Sequence, residues 1–135
     1  MSARDRRAVV TGRVLSGLVV AFMLFSAGIK FTGAEPVRAT MLQLGFPPEL
    51  TPGLGVLELA CTLLYALPRT ARVGVVVLTG YLGGACATHL RLLDPWLSHT
   101  LFPIWLGAFA WTGLLLRDPA LRHVLAAGPP QPASS

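Results

Sequence analysis

Residues 73–90 read VGVVVLTGYLGGACATHL, an apolar stretch without a single Asp, Glu, Lys or Arg. Its length suits a transmembrane helix, which needs roughly 17–25 predominantly apolar residues. Three further apolar stretches of comparable length lie on either side of it. The chain is therefore predicted to be an all-α integral membrane protein, a four-helix bundle with spans at about residues 14–31, 51–67, 72–90 and 101–117.

The overall composition favours the same class of protein. The chain has 135 residues, of which 53% are hydrophobic and 13% are charged, with a mean hydropathy of +0.63. An ordinary soluble domain has about 25% charged residues. The length predicts a single domain, which we place at residues 1–123. Residues 124–135 are rich in Pro, Ala and Ser and predict a disordered cytoplasmic tail.

The basic residues indicate the orientation of the helices. Arginines precede the first span, fill the short second connection and follow the last span, whereas the two opposite loops hold Lys30, Arg38 and Arg91. By the positive-inside rule, both termini lie in the cytoplasm. A net charge of +5 spread over helix ends differs from the clustered basic face of a nucleic-acid-binding protein, so no nucleic-acid partner is predicted. A signal peptide is the alternative interpretation of the first span, but the apolar run is longer than a usual signal sequence.

The first outer loop, residues 33–47, carries a helical pattern. Val37, Met41 and Leu44 recur at helical spacing. This pattern predicts a short amphipathic helix on the outer membrane surface, with an ordered loop as the alternative. Beyond the loop, Thr51 is predicted to cap the start of span two.

Span three contains two features that concern packing. Gly80 and Gly84 are four residues apart, a spacing that lets helix backbones approach closely in lipid. We interpret them as an internal packing seam rather than as the interface of a homo-oligomer. Cys86 lies about 6 Å below the outer end of its span and Cys61 about 16 Å below that of span two. This difference in depth argues against a disulfide between them.

Glu58 is the most informative single residue, because it lies near the middle of span two, where a carboxylate is costly. Cys61, Thr62 and Tyr65 follow it at i+3, i+4 and i+7, so the four residues share one helix face. We expect this face to point into the bundle.

The antiparallel topology brings the polar residues that end spans one and three to the outer end of the bundle, above Glu58. Tyr81 lies at helix-face spacing from His89 on span three. The candidate ligand-binding residues are therefore Glu58, Lys30, His89, Tyr65, Tyr81, Arg91 and His99. As an alternative, the histidines and Arg91 are ordinary interfacial residues and Glu58 is a structural carboxyl group. The spacing matches no metal-binding motif, so no metal site is predicted.

Several segments carry a resemblance to a known family. They are Ser26–Lys30 at the end of span one, Leu44–Pro47 in the first outer loop, Gly55–Leu59 in span two and above all Gly80–Arg91. Over roughly residues 12–118, the chain resembles the DoxX-like family of small bacterial four-helix membrane proteins. That family takes its name from a small subunit of a thiosulfate:quinone oxidoreductase. The resemblance therefore implies a bacterial inner-membrane location and a link to a quinone or a redox partner, but it supplies no catalytic residue and no cofactor.

These observations favour a non-enzymatic or accessory membrane protein. Its predicted pocket opens to the outer side and binds a small amphiphile, a quinone or a lipid, or supports a redox partner subunit. Glu58 is the predicted polar anchor of that pocket, with Lys30 and His89 at its mouth. The alternatives are a proton-coupled carrier or membrane enzyme that uses Glu58, and a structural assembly subunit that uses Gly80 and Gly84.

Overall fold

A computed structural model describes residues 2–128, and the secondary structure of that part of the chain is helical, without a strand. The all-α prediction is therefore confirmed. The α-helices are α1 (Ala3–Lys30), α2 (Glu35–Gln43), α3 (Thr51–Ala66), α4 (Ala71–Arg91), α5 (Phe102–Arg117) and α6 (Pro119–Ala126). A 3-10 turn, Pro48–Leu50, leads into α3, and a short π-helix, Trp96–Thr100, leads into α5.

The first helix is longer than the predicted span, because its start is capped far upstream. The Ser2 hydroxyl accepts a hydrogen bond from the Asp5 amide at 3.1 Å, and the Asp5 carboxylate accepts one from the Ser2 amide at 3.2 Å. This reciprocal arrangement is a capping box. The helix ends at Lys30, and Gly33 follows with a φ of +64°, a conformation that glycine adopts without strain.

The shorter segments agree with the predictions only in part. The helix predicted in the first outer loop is present as α2, and its Met41 is buried. Thr51 does not cap α3: Leu50 is the cap residue, Thr51 is the first helical residue, and its buried hydroxyl has no hydrogen-bond partner in residues 2–128. Residues 124–126 of the predicted disordered tail are helical, since α6 extends to Ala126. The last seven residues of that tail, 129–135, lie outside the described residues.

The four longer helices pack in a cycle in which α1 and α4 each contact both α3 and α5. The terminal end of this arrangement holds Ser2, the α3–α4 turn and the end of α5. The loop end holds Lys30 and the segments 32–50 and 92–101. Buried side chains from all four helices fill the centre: Val19, Met23, Cys61, Tyr65, Val75, Leu78, Leu106, Ala110 and Leu114.

Glycine lets the helix backbones meet at two crossings near the terminal end. A Cβ atom on Gly74 of α4 would lie 2.5 Å from the carbonyl oxygen of Leu64 in α3. A Cβ atom on Gly12 of α1 would lie 2.7 Å from the carbonyl oxygen of Gly113 in α5. At both places only a residue without a side chain allows this approach.

The predicted Gly80/Gly84 seam is not a packing seam. A Cβ atom on either glycine would meet nothing within 4 Å in the described part of the chain. The two glycines have the spacing of such a seam, but no helix of the described chain approaches α4 closely there. The backbones of α3 and α4 meet instead at Gly74, earlier in α4.

Large apolar side chains cover the outside of the long helices. Leu18 is 64% exposed, Phe25 68% and Val76 59%. Such a surface is unfavourable in water, but it suits contact with lipid. Three of the described segments are long and apolar enough to cross a membrane: Ala3–Lys30, Ala71–Arg91 and Trp96–Arg117. The chain is thus suited to a membrane, although α3 itself has only 16 residues.

Gly74→Ala is expected to destabilise the fold, because the added Cβ overlaps α3 backbone that no rotamer change can move. Overpacking costs about 1–3 kcal/mol, which exceeds the gain of at most about 1 kcal/mol in helix propensity. Gly83→Ala, on the same helix but with open space around the site, is the matched control and should be neutral or stabilising. Thermal unfolding midpoints in detergent measure both changes. A Gly74→Ala midpoint at or above that of the parent would contradict the close crossing.

An ion pair ties the start of α4 to the end of α5. Arg72 Nε donates to Asp118 Oδ2 at 2.8 Å, while Asp118 Oδ1 accepts a hydrogen bond from the Leu121 amide at the start of α6. The hydrogen bond from Arg72 holds the pKa of Asp118 below its usual value. Because this pKa is lower in the folded protein, the pair stabilises the fold above the unfolded-state pKa of about 4 and stops doing so as the pH falls further.

Asp118→Asn is therefore expected to be less stable than the parent at neutral pH, by up to about 1 kcal/mol, since the pair is partly exposed. Asn still caps α6, so the variant isolates the loss of charge. Unfolding midpoints of the two proteins should converge as the pH falls below about 4. A difference that stays constant over this pH range would show that the Asp118 charge is not the cause.

Candidate functional site

A buried ion pair joins α1 to α3. Lys30 Nζ lies 2.6 Å from Glu58 Oε2, and the two side chains are 17% and 2% exposed. Lys30 also donates to the Ser26 hydroxyl oxygen at 3.0 Å and to the Ser26 carbonyl oxygen at 3.3 Å. The ammonium group thus uses all three of its donors. The sequence placed Lys30 at the mouth of the pocket above Glu58 but did not indicate Ser26, whose i,i+4 spacing to Lys30 was the available signal.

An apolar cavity of about 470 Å³ lies between α2, α3 and α4. This volume is in the usual range for a small-molecule site. Its α3 wall consists of Leu54, Leu57 and Cys61, its α4 wall of Val77, Gly80, Tyr81, Gly84, Ala85, Thr88 and His89, and its α2 side of Met41, Leu44 and Phe46. Gly80 and Gly84 are therefore part of a cavity wall, where the absence of side chains leaves the space open.

The polar end of the cavity is formed by His89, whose Nδ1 lies 2.6 Å from Asp94 Oδ2. Leu93 adopts a φ of +56°, which is uncommon for a residue other than glycine. This turn brings Asp94 back over the end of α4, where its amide donates to the His89 carbonyl oxygen at 3.1 Å. The centroid of the His99 ring, in the π-helix, lies 5.7 Å from the centroid of the His89 ring.

Tyr81 and Thr88 are the other polar residues that line the cavity beside His89. The Thr88 hydroxyl donates to the Gly84 carbonyl oxygen at 2.9 Å, a bond within the helix. The cavity lies next to the buried ion pair because Leu57, in its α3 wall, directly precedes Glu58, although neither Lys30 nor Glu58 lines it.

Tyr65 has a structural role rather than the predicted place at the site. It is fully buried, and its hydroxyl lies 2.8 Å from the Ala110 carbonyl oxygen and 2.9 Å from the Ser16 hydroxyl. Arg117 donates to the Tyr65 carbonyl oxygen at 2.8 Å and lies over its ring. Tyr65 therefore connects α1, α3 and α5 away from the cavity.

The remaining predicted ligand-binding residues are distributed around the loop end. Arg91 donates to the Leu44 carbonyl oxygen at 2.9 Å and so ties the end of α2 to α4. His99 bonds the neighbouring Ser98 hydroxyl. Lys30 lines a second, smaller pocket of about 180 Å³. The predicted single pocket is thus divided into a cavity with His89 and Tyr81, a buried ion pair, and separate loop contacts.

The thiols and acidic groups of the described residues form neither a disulfide nor a metal-ligating cluster. Cys61 and Cys86 are both free, and Cys61 lies in the cavity wall. No group of three or more His, Cys, Asp or Glu residues is placed to hold a metal ion within the described chain.

Lys30→Met is expected to destabilise the protein more than Glu58→Leu does. Removing Lys30 leaves a carboxylate that is 2% exposed, whereas removing Glu58 leaves an ammonium group that is 17% exposed and able to reach the surface. Breaking a buried pair from one side costs about 3–5 kcal/mol. Thermal unfolding midpoints of the two single variants in detergent test this order of stability.

The double variant Lys30→Met/Glu58→Leu is the control for this comparison. Replacing both charges with apolar side chains of similar size is often close to neutral, so the double variant should be more stable than Lys30→Met alone. If the two single changes were additive in the double variant, the two charges would not interact in the folded protein.

Comparison with known proteins gives a family assignment. The sequence profile of the DoxX-like family matches residues 14–113. The match includes the ion pair, every residue that lines the cavity, and the His89–Asp94 pair. No curated protein and no solved structure shows significant similarity to the chain.

Proposed function

The chain belongs to the DoxX-like family, and on that premise we propose that it is an accessory protein of the bacterial inner membrane that binds a small amphiphile, a quinone or a lipid. The observation that carries the proposal is the cavity of about 470 Å³ between α2, α3 and α4. It joins a long apolar wall to one polar end, which matches a molecule with an apolar tail and a polar head group.

Four membrane crossings are proposed from the connectivity of the helices. Gly74, near the start of α4, contacts α3 at the terminal end. α4 therefore starts at the terminal end, whereas α1 stops at the loop end. The chain must return between them, and α3 makes this return. With the preceding 3-10 turn, α3 spans about 30 Å, the thickness of the hydrocarbon core of a bilayer.

The proposed orientation places the terminal end in the cytoplasm. Eight arginines belong to this end: Arg4, Arg6, Arg7, Arg13, Arg69, Arg72, Arg117 and Arg122. The loop end holds Lys30, Arg38 and Arg91, and the Lys30 charge is neutralised by Glu58. This asymmetry follows the positive-inside rule. The cavity then lies in the outer half of the membrane.

The ligand is proposed to lie with its tail along the glycine-rich wall and its head at His89. Gly80 and Gly84 expose helix backbone to the cavity, which gives a flexible chain a smooth apolar surface. A redox partner subunit is the proposed recipient or source of the ligand, in keeping with the quinone link implied by the resemblance. In this proposal the protein holds the ligand and the partner performs the chemistry.

Native mass spectrometry of the protein extracted gently from its own membrane tests the proposal. We expect the parent to retain a bound amphiphile that survives detergent exchange. Gly84→Leu should lose it, since the new side chain occupies the cavity. Gly83→Leu is the matched control: it adds the same side chain at the next position, which has open space around it but does not line the cavity.

The ligand masses and oligomeric masses of the three proteins distinguish the hypotheses. Loss of the ligand mass in Gly84→Leu but not in Gly83→Leu supports the cavity as its site. An equal ligand mass in all three proteins, or none in the parent, would overturn the proposal. A change of oligomeric mass in Gly84→Leu with no ligand in the parent would favour an assembly subunit instead.

A further inference from the structure

Resting on the proposed amphiphile cavity, we infer that the His89–Asp94 pair recognises a neutral, hydroxyl-bearing head group, with His89 Nε2 as the hydrogen-bond acceptor. This inference selects phenols and alcohols among amphiphiles, including the reduced, hydroxyl-bearing form of a quinone, and excludes the oxidised quinone and phospholipids. It rests on three features of the loop end: the hydrogen bond to Asp94, the absence of a cation from the cavity wall, and the unusual backbone that places Asp94.

The hydrogen bond to Asp94 decides which ring nitrogen is left for a ligand. A carboxylate accepts hydrogen bonds and does not donate them, so His89 Nδ1 is the donor in the 2.6 Å contact with Asp94. In the neutral ring, the other nitrogen, Nε2, then carries a lone pair. It has no hydrogen-bond partner in residues 2–128, and His89 lines the cavity. Asp94 is thus a positioning residue that makes His89 an acceptor.

The charges around the cavity favour a neutral head group. Among residues 2–128, no Lys or Arg lines the cavity, whereas phosphate recognition in proteins commonly uses such side chains. Arg91, the nearest arginine in sequence, donates instead to the Leu44 carbonyl oxygen. The Asp94 carboxylate beside His89 would also repel an anion. A hydroxyl group needs no counter-charge and supplies the proton that Nε2 accepts.

The backbone that holds Asp94 is unusual on both sides of this residue. Leu93, with a φ of +56°, is the one residue other than glycine in the described chain with a positive φ. The π-helix Trp96–Thr100 begins two residues after Asp94, and its Thr100 hydroxyl donates to the Asp94 carbonyl oxygen at 3.3 Å. Strained backbone and π-turns occur preferentially at functional sites. Here both serve to hold one carboxylate against one imidazole.

A matched pair of probes tests the inference: para-nonylphenol, which has the hydroxyl proton, and its methyl ether, which lacks it. Both are titrated by equilibrium dialysis into the full chain in nanodiscs of neutral lipid. The phenol should bind the parent about three- to tenfold more tightly than the ether, the usual effect of one neutral hydrogen bond. His89→Phe keeps a ring of similar size and should bind both probes equally. Asp94→Asn should reduce the preference for the phenol.

A second measurement on the unchanged protein guards against a variant that does not fold. Nitrogen-15 NMR of the histidine rings should show His89 with a protonated Nδ1 and an Nε2 resonance that shifts when the phenol, but not the ether, is added. The Nε2 resonance in Asp94→Asn should move toward that of the other tautomer. A merely structural contact would leave the Nε2 signal unchanged by either probe.

The outcomes separate this inference from the proposed function. Equal binding of phenol and ether by the parent, with both lost in Gly84→Leu, would overturn the role of His89 and leave the cavity intact. Displacement of the phenol by phosphatidylglycerol would overturn the preference for a neutral head group. Binding of neither probe, or binding that Gly84→Leu does not change, would overturn the amphiphile cavity itself.

Discussion

The Lys30–Glu58 ion pair determines where α3 lies, and the cavity follows from that position. Separating two charges inside an apolar interior costs several kcal/mol, so the loop-end half of α3 is held against α1. The backbones of α3 and α4 meet near the terminal end, at Gly74. Toward the loop end, a Cβ atom on Gly80 or Gly84 of α4 would meet nothing within 4 Å in the described part of the chain. The space between the two helices has no side chain at Gly80 or Gly84 to fill it.

Segments outside α3 and α4 close the cavity between these two helices. α2 places Met41 and Leu44 on the cavity, and the hydrogen bond from Arg91 to the Leu44 carbonyl oxygen fixes that segment on α4. On the other side, Asp94 orients His89. The apolar walls thus depend on helix packing, while the closure and the polar end depend on two loops of few contacts. Sites of this kind commonly combine a rigid scaffold with adjustable loops.

The sequence predicted the helices well because long apolar runs and end signals are local features. Which helix packs against a given face depends on residues far away in the sequence, and the wrong predictions concern such contacts. Gly80 and Gly84 predicted close backbone contact, but spacing alone does not say whether another helix lies opposite. Gly74 makes the close contact with α3. Its sequence surroundings, VGVVV at residues 73–77, do not distinguish it from a glycine that faces lipid. Tyr65 shares a helix face with Glu58, yet seven residues place it about 10 Å deeper, next to α1 and α5 instead of the cavity. The bond between His89 and Asp94 depends on the φ of Leu93, which no local sequence pattern predicts.

The charged groups of Lys30 and Glu58 do not line the cavity, and this arrangement determines which kind of ligand the cavity suits. Glu58 is the costliest group in the chain, and its pairing with Lys30 leaves little net field from it in the neighbouring space. A cavity that contained the bare carboxylate would select cations, and one that contained Lys30 alone would select anions. Because each charge is neutralised by the other, the cavity keeps the hydrogen-bonding groups of Tyr81 and His89 as its polar features. The ion pair therefore stabilises the helices and at the same time makes the adjoining site suited to an uncharged molecule.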